Sequence, residues 1–541
     1  MRFTTATDAS TAASALTFAI SAIIAAAPSA VADNTTEPLS SFWTRPLSQA
    51  PALNVSIQDG FSEGYVFIAP YDATHSGPYI YNKFGDLVWD GYGVTGSANA
   101  HNFRPCTYHG SQHLCFTQVN QQNGYGIGEA IIVNSDYKVV ATAQTGGNVQ
   151  PADMHEFQLL DDGQTAILSA YEIIPYDLSG FNITTGMGWI SQGVFQVINV
   201  TSGDVVFEWF AANHVDPSDT QIAPNQTDTG GDGFSPETAF DYFHINAIDR
   251  TPSGNYLVSA RHTGAIYYVN GTDRTISWRL SYLGPSDYAC TNFNFSFQHD
   301  VRLHSENDTT TVISIFDNAS NGFTTTTSQS SGKVIAIDHT TGNATMIQEI
   351  LFPSDDDAGI LSTSQGNTQP LSNGGYFIGW GVNPYFSEHS SNGTAVLLGS
   401  FPGVENYRAF TSRWSSTPSS TVPEVYAYAL NSSSDARVYV SWNGATTVAN
   451  WRIYGAKNND DGERGEFEIL ATTAQQGFET EWQATDFYDW VRVEALSSNG
   501  TALRNSSITP VFVPSAALAG ACDDAGCPIA STYSSSDKDE L

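Results

Sequence analysis

In the stretch FHINAIDRTPSGNYLVSARH, residues 243–262, His244 is followed by an apolar strand, a tight turn and a second apolar strand that ends before Arg261 and His262. Short apolar runs bounded by Pro, Ser and Gly are typical of β-strands joined by a turn. The same order of histidine, strand, polar turn and strand occurs three more times, beginning at His101, His155 and His299. A repeated unit of this kind predicts an all-β chain made of small antiparallel sheets.

Further hairpins complete each repeat. They pair two short strands around a turn, at residues 78–89, 194–209, 266–278 and 333–346, with weaker copies near 129–142 and 386–397. About six units result, and helical periodicity is nearly absent. Small sheets repeated around a ring protect their strand edges by closure. We therefore predict a six-bladed β-propeller over residues 60–415.

The chain on either side of this region has a different sequence pattern. After Pro423, short alternating strands recur at regular spacing, which predicts a small β-sandwich of immunoglobulin or fibronectin type over residues 423–513. Residues 514–541 are rich in Ala, Ser and Asp and are predicted to form a flexible tail. Residues 33–59 form an N-terminal extension in this scheme.

Both chain ends carry targeting patterns. Arg2, an apolar core at residues 15–27 and small residues before position 33 are typical of a secretory signal peptide at residues 1–32. The last four residues, Lys538-Asp539-Glu540-Leu541, match the retrieval signal that the KDEL receptor recognises. The sequence therefore predicts residence in the lumen of the endoplasmic reticulum, with some secretion. No later segment is apolar for long enough to span a bilayer.

Modification and charge fit that compartment. About fourteen Asn-x-Ser/Thr sequons occur, and the predicted glycosylation sites are Asn54, Asn182, Asn199, Asn270, Asn343 and Asn431. Cysteines pair where conditions are oxidising, and the spacing predicts the disulfides Cys106–Cys115 and Cys522–Cys527. Cys290 is left over and is expected to be a buried, unreactive thiol. A formal charge of −35 argues against nucleic acid or an anionic membrane as partner.

If the units are built alike, the four histidines occupy equivalent positions, and a closed ring of units would bring them together. An isolated histidine in a propeller usually bridges blades by hydrogen bonds, but four at one register, with Arg261 nearby, favour a functional site. Asn246 lies two residues past His244 and is therefore expected on the same face of its strand. Arg302 follows His299 and is also expected on its side.

Two chemistries suit a ring of imidazoles. Neutral imidazoles bind iron or zinc, but a guanidinium would repel a dication, and the helical His-Glu-x-x-His pattern is absent. Imidazoles, an amide and Arg261 instead make a cage of donors that stabilises negative charge on a transferring group. One histidine can then act as nucleophile through a ring nitrogen. We therefore assign no metal ligand and expect no cofactor, with iron or zinc as the open alternative.

Several segments around these residues carry a family resemblance. They are residues 153–163 (DMHEFQLLDDG), 243–249 (FHINAID), 254–262 (GNYLVSARH), 297–302 (FQHDVR), 315–318 (IFDN) and 379–381 (GWG) with Glu388. These motifs resemble those of the arylsulfotransferase-type propellers, and the eukaryotic, mainly fungal, branch more than the bacterial enzymes. The resemblance extends over roughly residues 60–415.

The resemblance implies a ping-pong transfer of sulfate from an aryl sulfate to a phenol, without PAPS. By motif, His299 corresponds to the nucleophile. The groups that would hold the sulfuryl oxygens are His155, His244, Asn246 and Arg261. Further candidates are His101, taken from the repeat register, and Arg302 and His262.

Two other functions stay open. A donor cage could eject water from a hydroxymethyl phenol or tropolone, with a histidine as general acid and base. The quinone methide so formed could be trapped in a hetero-Diels–Alder-type cyclisation, as in a fungal secondary-metabolite pathway. The third alternative is a non-catalytic binding or scaffold propeller. An aromatic content of 12% suits a pocket for a small aromatic substrate in either enzymatic alternative.

Overall fold

The computed structural model describes residues 37–57, 60–95, 99–226, 229, 231–354, 359–524, 526 and 527. The predicted signal peptide, residues 1–32, and the C-terminal retrieval signal lie outside the described residues. Within them the chain is almost entirely β-structure, which confirms the predicted all-β class. The short helices are the α-helix Tyr92–Thr95 and the 3-10 helices Asp161–Gly163, Ser179–Phe181, Ala211–Asn213, Pro217–Asp219, Pro236–Thr238 and Ala519–Ala521.

Six sheets of four or five strands follow one another along the chain, and we number them I to VI. In each, four antiparallel strands are taken in order from the first to the fourth. The strands are, for sheet I, Phe410–Ser412, Tyr65–Ile68, Tyr79–Asn82 and Leu87–Asp90; for sheet II, Asn99–Tyr108, Ser111–Gln121, Gly126–Val133 and Val139–Ala143; for sheet III, Phe157–Leu160, Thr165–Tyr176, Gly188–Asn199 and Val205–Phe210; for sheet IV, Ile245–Arg250, Tyr256–Ala260, Ala265–Val269 and Ile276–Ser281; for sheet V, His299–Glu306, Thr310–Asp317, Ser331–Asp338 and Asn343–Leu351; and for sheet VI, Asn367–Pro370, Tyr376–Gly379, Tyr385–His389 and Ala395–Ser400.

Strands from distant parts of the chain complete these sheets. The first strand of sheet I comes from the end of the repeated region, so Phe410 lies opposite Phe67 in an antiparallel pair. Asn54–Ile57 adds a fifth strand to sheet VI. A two-stranded ladder, Glu405–Asn406 with Pro70–Tyr71, lies beside the join. Ala289–Cys290 adds a parallel fifth strand to sheet V.

Hydrophobic clusters join each sheet to the next. Sheets III and IV, for example, share a cluster in which the rings of Phe195 and Tyr256 lie 5.1 Å apart. Comparable clusters join I with II, II with III, IV with V and V with VI. A further cluster joins sheet VI, through Phe377 and Phe386, to Tyr79 and Tyr81 of sheet I. Burial of each large apolar side chain stabilises the folded state by about 1.5–3 kcal/mol. These clusters therefore hold the six sheets in cyclic order.

Two more sheets follow the repeated region. Sheet VII contains Glu424–Tyr428, Arg437–Ser441 and Glu479–Gln483, and sheet VIII contains Glu468–Ala474, Asn450–Ala456, Trp490–Leu496, Ala502–Asn505 and Thr509–Pro510. Their apolar faces meet in one cluster that includes Val438, Trp451 and Val493. The N-terminal extension also contacts them, because the Thr44 backbone N–H donates to the Glu479 carboxylate at 2.6 Å.

Part of the predicted C-terminal tail, residues 514–541, contacts sheet VII. The Tyr428 hydroxyl donates to the Asp523 carbonyl at 2.8 Å, and the disulfide Cys522–Cys527 closes a short loop there. Both predicted disulfides are confirmed, with Cys106–Cys115 joining the first two strands of sheet II. Cys290 is unpaired, and burial raises its pKa to about 11, so its thiolate is scarce at neutral pH. Among the described helices, none is long and apolar enough to cross a membrane.

Candidate active site

The four repeated histidines enter at the same end of their sheets. His299 begins the first strand of sheet V, His101 lies near the beginning of the first strand of sheet II, and His155 and His244 precede the first strands of sheets III and IV. All four are at most 2% exposed. The rings of His155 and His244 lie 4.9 Å apart. The repeat register in the sequence therefore does bring these side chains to one buried centre, the histidine pocket.

Two of these rings are held by an aspartate. His155 Nδ1 lies 2.6 Å from Asp153 Oδ2, and His244 Nδ1 lies 2.5 Å from Asp241 Oδ2. Burial opposes ionisation of Asp153, but its pKa is lowered overall by the His155 ring and the backbone N–H of Gly126 and His155. An ionised Asp153 makes His155 Nδ1 the donor in this pair. Such a pair fixes the orientation of the ring and directs Nε2 to a ligand.

His299 is held by an amide rather than a carboxylate. Its Nδ1 lies 2.7 Å from Asn318 Oδ1. Asn318 Nδ2 donates to the carbonyls of Ser362 at 2.9 Å and Gln365 at 3.0 Å. Because carbonyls only accept, the Asn318 amide cannot be turned round, and its oxygen must face the ring. His299 therefore carries its proton on Nδ1 and a lone pair on Nε2.

The environment keeps His299 neutral. Burial lowers its pKa well below the ordinary value of 6.5, and the Arg261 guanidinium adds to the effect, followed more weakly by His244 and His155. These three groups must therefore lie near the ring. The backbone N–H of Gln365 donates to His299 Nε2 at 3.3 Å.

Arg261 lies in the hairpin turn after the second strand of sheet IV. Its Nη2 donates to the Thr363 carbonyl at 2.8 Å, and its Nη1 lies 3.3 Å from His262 Nε2. His262 Nδ1 lies 2.5 Å from the Asp241 carbonyl. Burial lowers the pKa of His262 to about 3, so it is a neutral ring that accepts from the guanidinium. Thr363 and Gln365 belong to one loop, which thus contacts both Arg261 and His299.

His101 lies in the same centre but in a different environment. Its ring is 4.8 Å from the Tyr71 ring, and among the described residues neither ring nitrogen makes a hydrogen bond of normal geometry. Burial lowers its pKa to about 3, assisted by His155, whereas Asp153 and the nearby Gln121 act in the opposite sense. A buried imidazole in this state is neutral and can both donate and accept.

The two remaining candidates differ from their predicted places. Arg302 does not join the pocket, because its guanidinium pairs with Glu156 and Asp300. Arg302 lies three residues past His299, and strand alternation puts residues two apart, not three apart, on one face. The ladder also shifts register between the two residues. Asn246 is buried at a second register shift, its Nδ2 donating to the Gln298 carbonyl at 2.8 Å. Its Oδ1 has no hydrogen-bond partner among the described residues and is available as an acceptor.

Tyr407 is a central residue that the sequence reasoning missed. Its ring lies 6.1 Å from His101, 5.4 Å from His155 and 6.4 Å from His299. It precedes the first strand of sheet I by a few residues, where sheets II to V have histidine. Its position was the only signal in the sequence, because the residue type differs. Tyr171, whose ring lies 5.6 Å from His155, was missed because it lies in the second strand of sheet III, outside the histidine register.

A buried ionic cluster lies directly beneath the histidine pocket. Glu156 accepts from Arg302 at 2.6 Å and lies within ion-pair distance of Arg104 at 3.3 Å and Arg408 at 3.5 Å. Burial opposes ionisation of Glu156, but the three guanidinium groups lower its pKa to about 2. Asp300 pairs with Arg302 at 2.7 Å. The residues that follow the pocket side chains therefore build a separate charged layer.

One group of side chains has the composition of a metal site. The ligand atoms of Asp241, His244 and His262 lie within 4.8 Å of one another. Their nitrogens are already engaged, however, since both Nδ1 atoms contact Asp241 and His262 Nε2 lies against the Arg261 guanidinium. A fixed cation next to the third ligand disfavours a bound dication by charge repulsion. The Arg261 guanidinium beside these residues suits an anion instead.

Comparison with solved structures finds chains of low similarity. One is a protein of unknown function from Bacteroides caccae, with 11% sequence identity and a TM-score of 0.37, covering 65% of this chain and 100% of that one. Another is a functionally unknown protein from Desulfotomaculum acetoxidans DSM 771, with 10% identity and a TM-score of 0.34, covering 65% and 99%. Kuenenia stuttgartiensis hydrazine synthase has 10% identity and a TM-score of 0.29, covering 62% and 80%.

None of the curated proteins compared with the sequence matches it. A family model does match: that of the arylsulfotransferase (ASST) family, over residues 104–401. This span is more than half of the chain. It contains three of the four pocket histidines, and the fourth, His101, lies just before it. The chain therefore belongs to the arylsulfotransferase (ASST) family.

Proposed function

We propose that this protein transfers a sulfuryl group from an aryl sulfate to a phenol, without PAPS, through a covalent intermediate on His299. Membership of the arylsulfotransferase family supports a transferase of this general kind. The observation that carries the specific proposal is the protonation state of His299. Asn318 fixes the proton on Nδ1, and burial keeps the ring neutral, so Nε2 has the lone pair that a nucleophile needs.

In the first half of the reaction, His299 Nε2 forms a bond to sulfur. The bond between sulfur and the aryl oxygen breaks, and its electron pair leaves with the phenolate. The Nδ1 proton stays on the ring, hydrogen-bonded to Asn318, so the histidine has no proton to lose. The Gln365 N–H now shares the Nε2 lone pair at 3.3 Å, and this long hydrogen bond must be released before attack.

In the second half, the oxygen of the acceptor phenol attacks sulfur. The N–S bond breaks and its electron pair returns to Nε2, which restores the resting histidine. The phenolic proton passes to the phenolate released in the first half or to water. Each half therefore conserves charge and atoms without a cofactor.

Three neighbouring groups stabilise the transferring sulfuryl oxygens in this proposal. Arg261 supplies fixed positive charge, and His155 and His244 donate from Nε2 in their imidazolium form, which an aspartate at Nδ1 stabilises. Donors fixed in a site without water act strongly on charge that develops during transfer. Asn246 has a different role from the predicted one, because its unpartnered Oδ1 suits the hydroxyl of a phenol better than a sulfuryl oxygen.

We propose the surrounding architecture on the same basis. The cyclic order of the six sheets supports a six-bladed β-propeller over residues 60–415, and the two facing sheets VII and VIII support a β-sandwich over residues 423–513. The targeting patterns support residence in the lumen of the endoplasmic reticulum, and the disulfides fit an oxidising compartment.

A second candidate function is dehydration of a hydroxymethyl phenol or tropolone, followed by cyclisation. The observation that favours it is the neutral, unpartnered ring of His101 near Tyr71, which could hold a hydroxyl as general acid and base. This reaction needs no covalent histidine. The two candidates therefore differ in whether His299 becomes modified.

Steady-state transfer from p-nitrophenyl sulfate to a phenol tests the first proposal. We expect nitrophenolate release with ping-pong kinetics, lost in His299→Gln, which keeps the side-chain volume but has no nucleophilic nitrogen. The matched control is His339→Gln, whose ring bonds to Tyr288 and Thr311 outside the pocket. Release that persists in His299→Gln would contradict the proposal, and turnover of hydroxymethyl phenols in that variant would support the dehydration.

A further inference from the structure

The turn between the third and fourth strands recurs in all six sheets. First strands begin at the histidine end and successive strands reverse direction, so this turn lies at the end of each sheet away from the histidine pocket. In sheets III to VI the turn carries a glycosylation sequon. The asparagines are Asn199, Asn270, Asn343 and Asn392, and their hydroxyl residues are Thr201, Thr272, Thr345 and Thr394.

The geometry of these asparagines leaves the reactive atom accessible. The Oδ1 atoms of Asn199, Asn270 and Asn392 accept from the backbone N–H of the threonine two residues later, at 3.0, 2.8 and 3.1 Å. Their Nδ2 atoms make no hydrogen bond to any residue that the structure describes. Asn343 Nδ2 has one long contact, 3.5 Å to the Thr341 carbonyl. An N-glycan attaches at Nδ2, so the turn holds the side chain by its other atom.

Sheets I and II provide an internal contrast. Their equivalent turns begin with Asn82 and Asn134, which make the same hydrogen bonds to the residue two positions later. That residue is Phe84 or Asp136, so neither turn is a sequon. The sequon is therefore absent from two turns that hold their asparagine by the same hydrogen bond as Asn199, Asn270 and Asn392.

The C-terminal region contacts these two sheets. Ser419 donates from its backbone N–H and its hydroxyl to the Asp136 carboxylate at 2.7 and 2.6 Å, and Ser416 Oγ donates to the Ser135 carbonyl at 2.6 Å. On sheet I, the Gly444 N–H donates to the Val88 carbonyl at 2.8 Å. The C-terminal region thus contacts the turn of sheet II and the fourth strand of sheet I, the two sheets whose turns lack a sequon.

A sequon in the pocket shows the opposite geometry. Asn318-Ala319-Ser320 is a sequon, yet Asn318 is buried and its Nδ2 makes both hydrogen bonds that fix the His299 ring. A glycan on that nitrogen would remove one donor and could not be packed in the interior. The folded site therefore requires this sequon to stay unmodified.

We propose that the turns of sheets III to VI carry N-glycans, which form a glycosylated rim on the side away from the histidine pocket, and that Asn318 is unmodified in folded protein. At each turn, Nδ2 loses a proton and bonds to the anomeric carbon of a lipid-linked oligosaccharide, and the bond from that carbon to the lipid pyrophosphate breaks. The inference rests on the proposed entry into the secretory pathway. The rim shields the side away from the pocket from contact with other proteins.

The test is a glycan map of the full-length chain made in a eukaryotic secretory host. Deglycosylation by a peptide N-glycosidase in 18O-labelled water marks each occupied asparagine for mass spectrometry, and N-terminal sequencing reports signal cleavage. We expect marks at Asn199, Asn270, Asn343 and Asn392 and none at Asn318. Each of T201A, T272A, T345A and T394A should remove one glycan from the intact mass, with the rate of sulfuryl transfer unchanged.

Three results would overturn the rim. One is a cleaved, secreted chain with these turns unmodified, and a second is active protein with Asn318 occupied. A chain that is neither cleaved nor glycosylated also overturns it, and places the failure in targeting rather than in exposure of the turns. As a check on exposure, D136T creates a sequon at Asn134. This change removes the Ser419 contact but keeps the hydrogen bond from Ser416 to the Ser135 carbonyl, so we expect Asn134 to remain unoccupied in folded protein.

Discussion

The histidine pocket and the ionic cluster beneath it are built from neighbouring residues of the same chain segments. His155 and Glu156 are adjacent, as are His299 and Asp300, and the first of each pair enters the pocket while the second enters the cluster. The cluster is charged, and its opposite charges are paired. The pocket contains a guanidinium and the neutral rings of His101, His262 and His299, with some polar atoms left unpartnered.

This difference separates stability from activity. Buried charges that are paired resist removal of one partner, because the other is left uncompensated. Buried polar atoms that lack a partner lower stability and are retained where a ligand will pair with them. The cluster is therefore expected to hold the sheets in place, and the pocket is expected to bind and react. Substitutions in the two layers should have distinct consequences.

The largest expected effect is on activity. His299→Gln should reduce sulfuryl transfer by about 10⁴-fold or more, because loss of a nucleophile removes the covalent path, while its unfolding temperature stays close to that of the wild type. Initial rates with p-nitrophenyl sulfate and thermal unfolding are measured on the same preparation. A variant that loses stability and activity together would break the proposed division between the layers.

The largest expected effect on stability is in the cluster. Glu156→Gln should lower the free energy of unfolding by about 3–5 kcal/mol, because three buried guanidinium groups lose their shared anion. Urea unfolding at neutral pH measures this change in the free energy of unfolding. The control is Glu63→Gln, which removes an ion pair to Arg413 on the surface and should leave the midpoint unchanged. Equal midpoints for both variants would contradict a structural role for the cluster.

Asn318→Ala should have an intermediate effect that sharpens the assignment of the tautomer. Without Asn318 Oδ1, the His299 proton can move to Nε2, which removes the lone pair from part of the population. We expect kcat to fall about tenfold to a hundredfold, the equivalent of one buried hydrogen bond, with KM for the aryl sulfate little changed. A raised KM with kcat unchanged would mean that Asn318 contacts substrate instead.

As the pH falls, the pocket should lower the stability of the protein before the cluster does. The pKa values of His101 and His262 are lowered by burial to about 3, so the unfolded chain takes up protons first, and stability falls as pH decreases from about 6.5. The pKa of Glu156 is lowered to about 2, so its contribution is lost only below its ordinary value of about 4.5.

The measurement is unfolding free energy between pH 7 and pH 4.5. His101→Gln should reduce the loss of stability in this range by up to about 1.4 kcal/mol per pH unit, the value for one proton. Glu156→Gln should leave the slope in this range as it is. A slope unchanged in His101→Gln would mean that this ring is protonated in the folded protein.

Sequence reasoning could predict the repeated sheets and the pocket histidines because both follow from one register. The position of His101, His155, His244 and His299 before or within a first strand is visible as a pattern. The bulge at Asp300 is not visible, because it depends on a positive φ that no residue of the FQHDVR motif requires. Arg302 lies just beyond that bulge and pairs with Glu156 in the cluster.

Tyr407 and the loop through Gln365 could not be predicted for a related reason. They occupy the pocket from the last unit and the closing segment, where the repeat has no histidine. Their contact with His299 depends on how the chain ends meet, through the pairing of Phe410–Ser412 with Tyr65–Ile68. Contacts across such a join are set by tertiary closure and leave no local pattern.

Mass spectrometry of the protein after brief incubation with p-nitrophenyl sulfate, without acceptor, tests the central claim most directly. The account predicts a gain of one sulfuryl group, about 80 Da, mapped to the peptide that contains His299, absent from His299→Gln and discharged by added phenol. Nitrophenolate release without any adduct on the wild-type protein, or an adduct that persists in His299→Gln, would contradict the covalent role of His299.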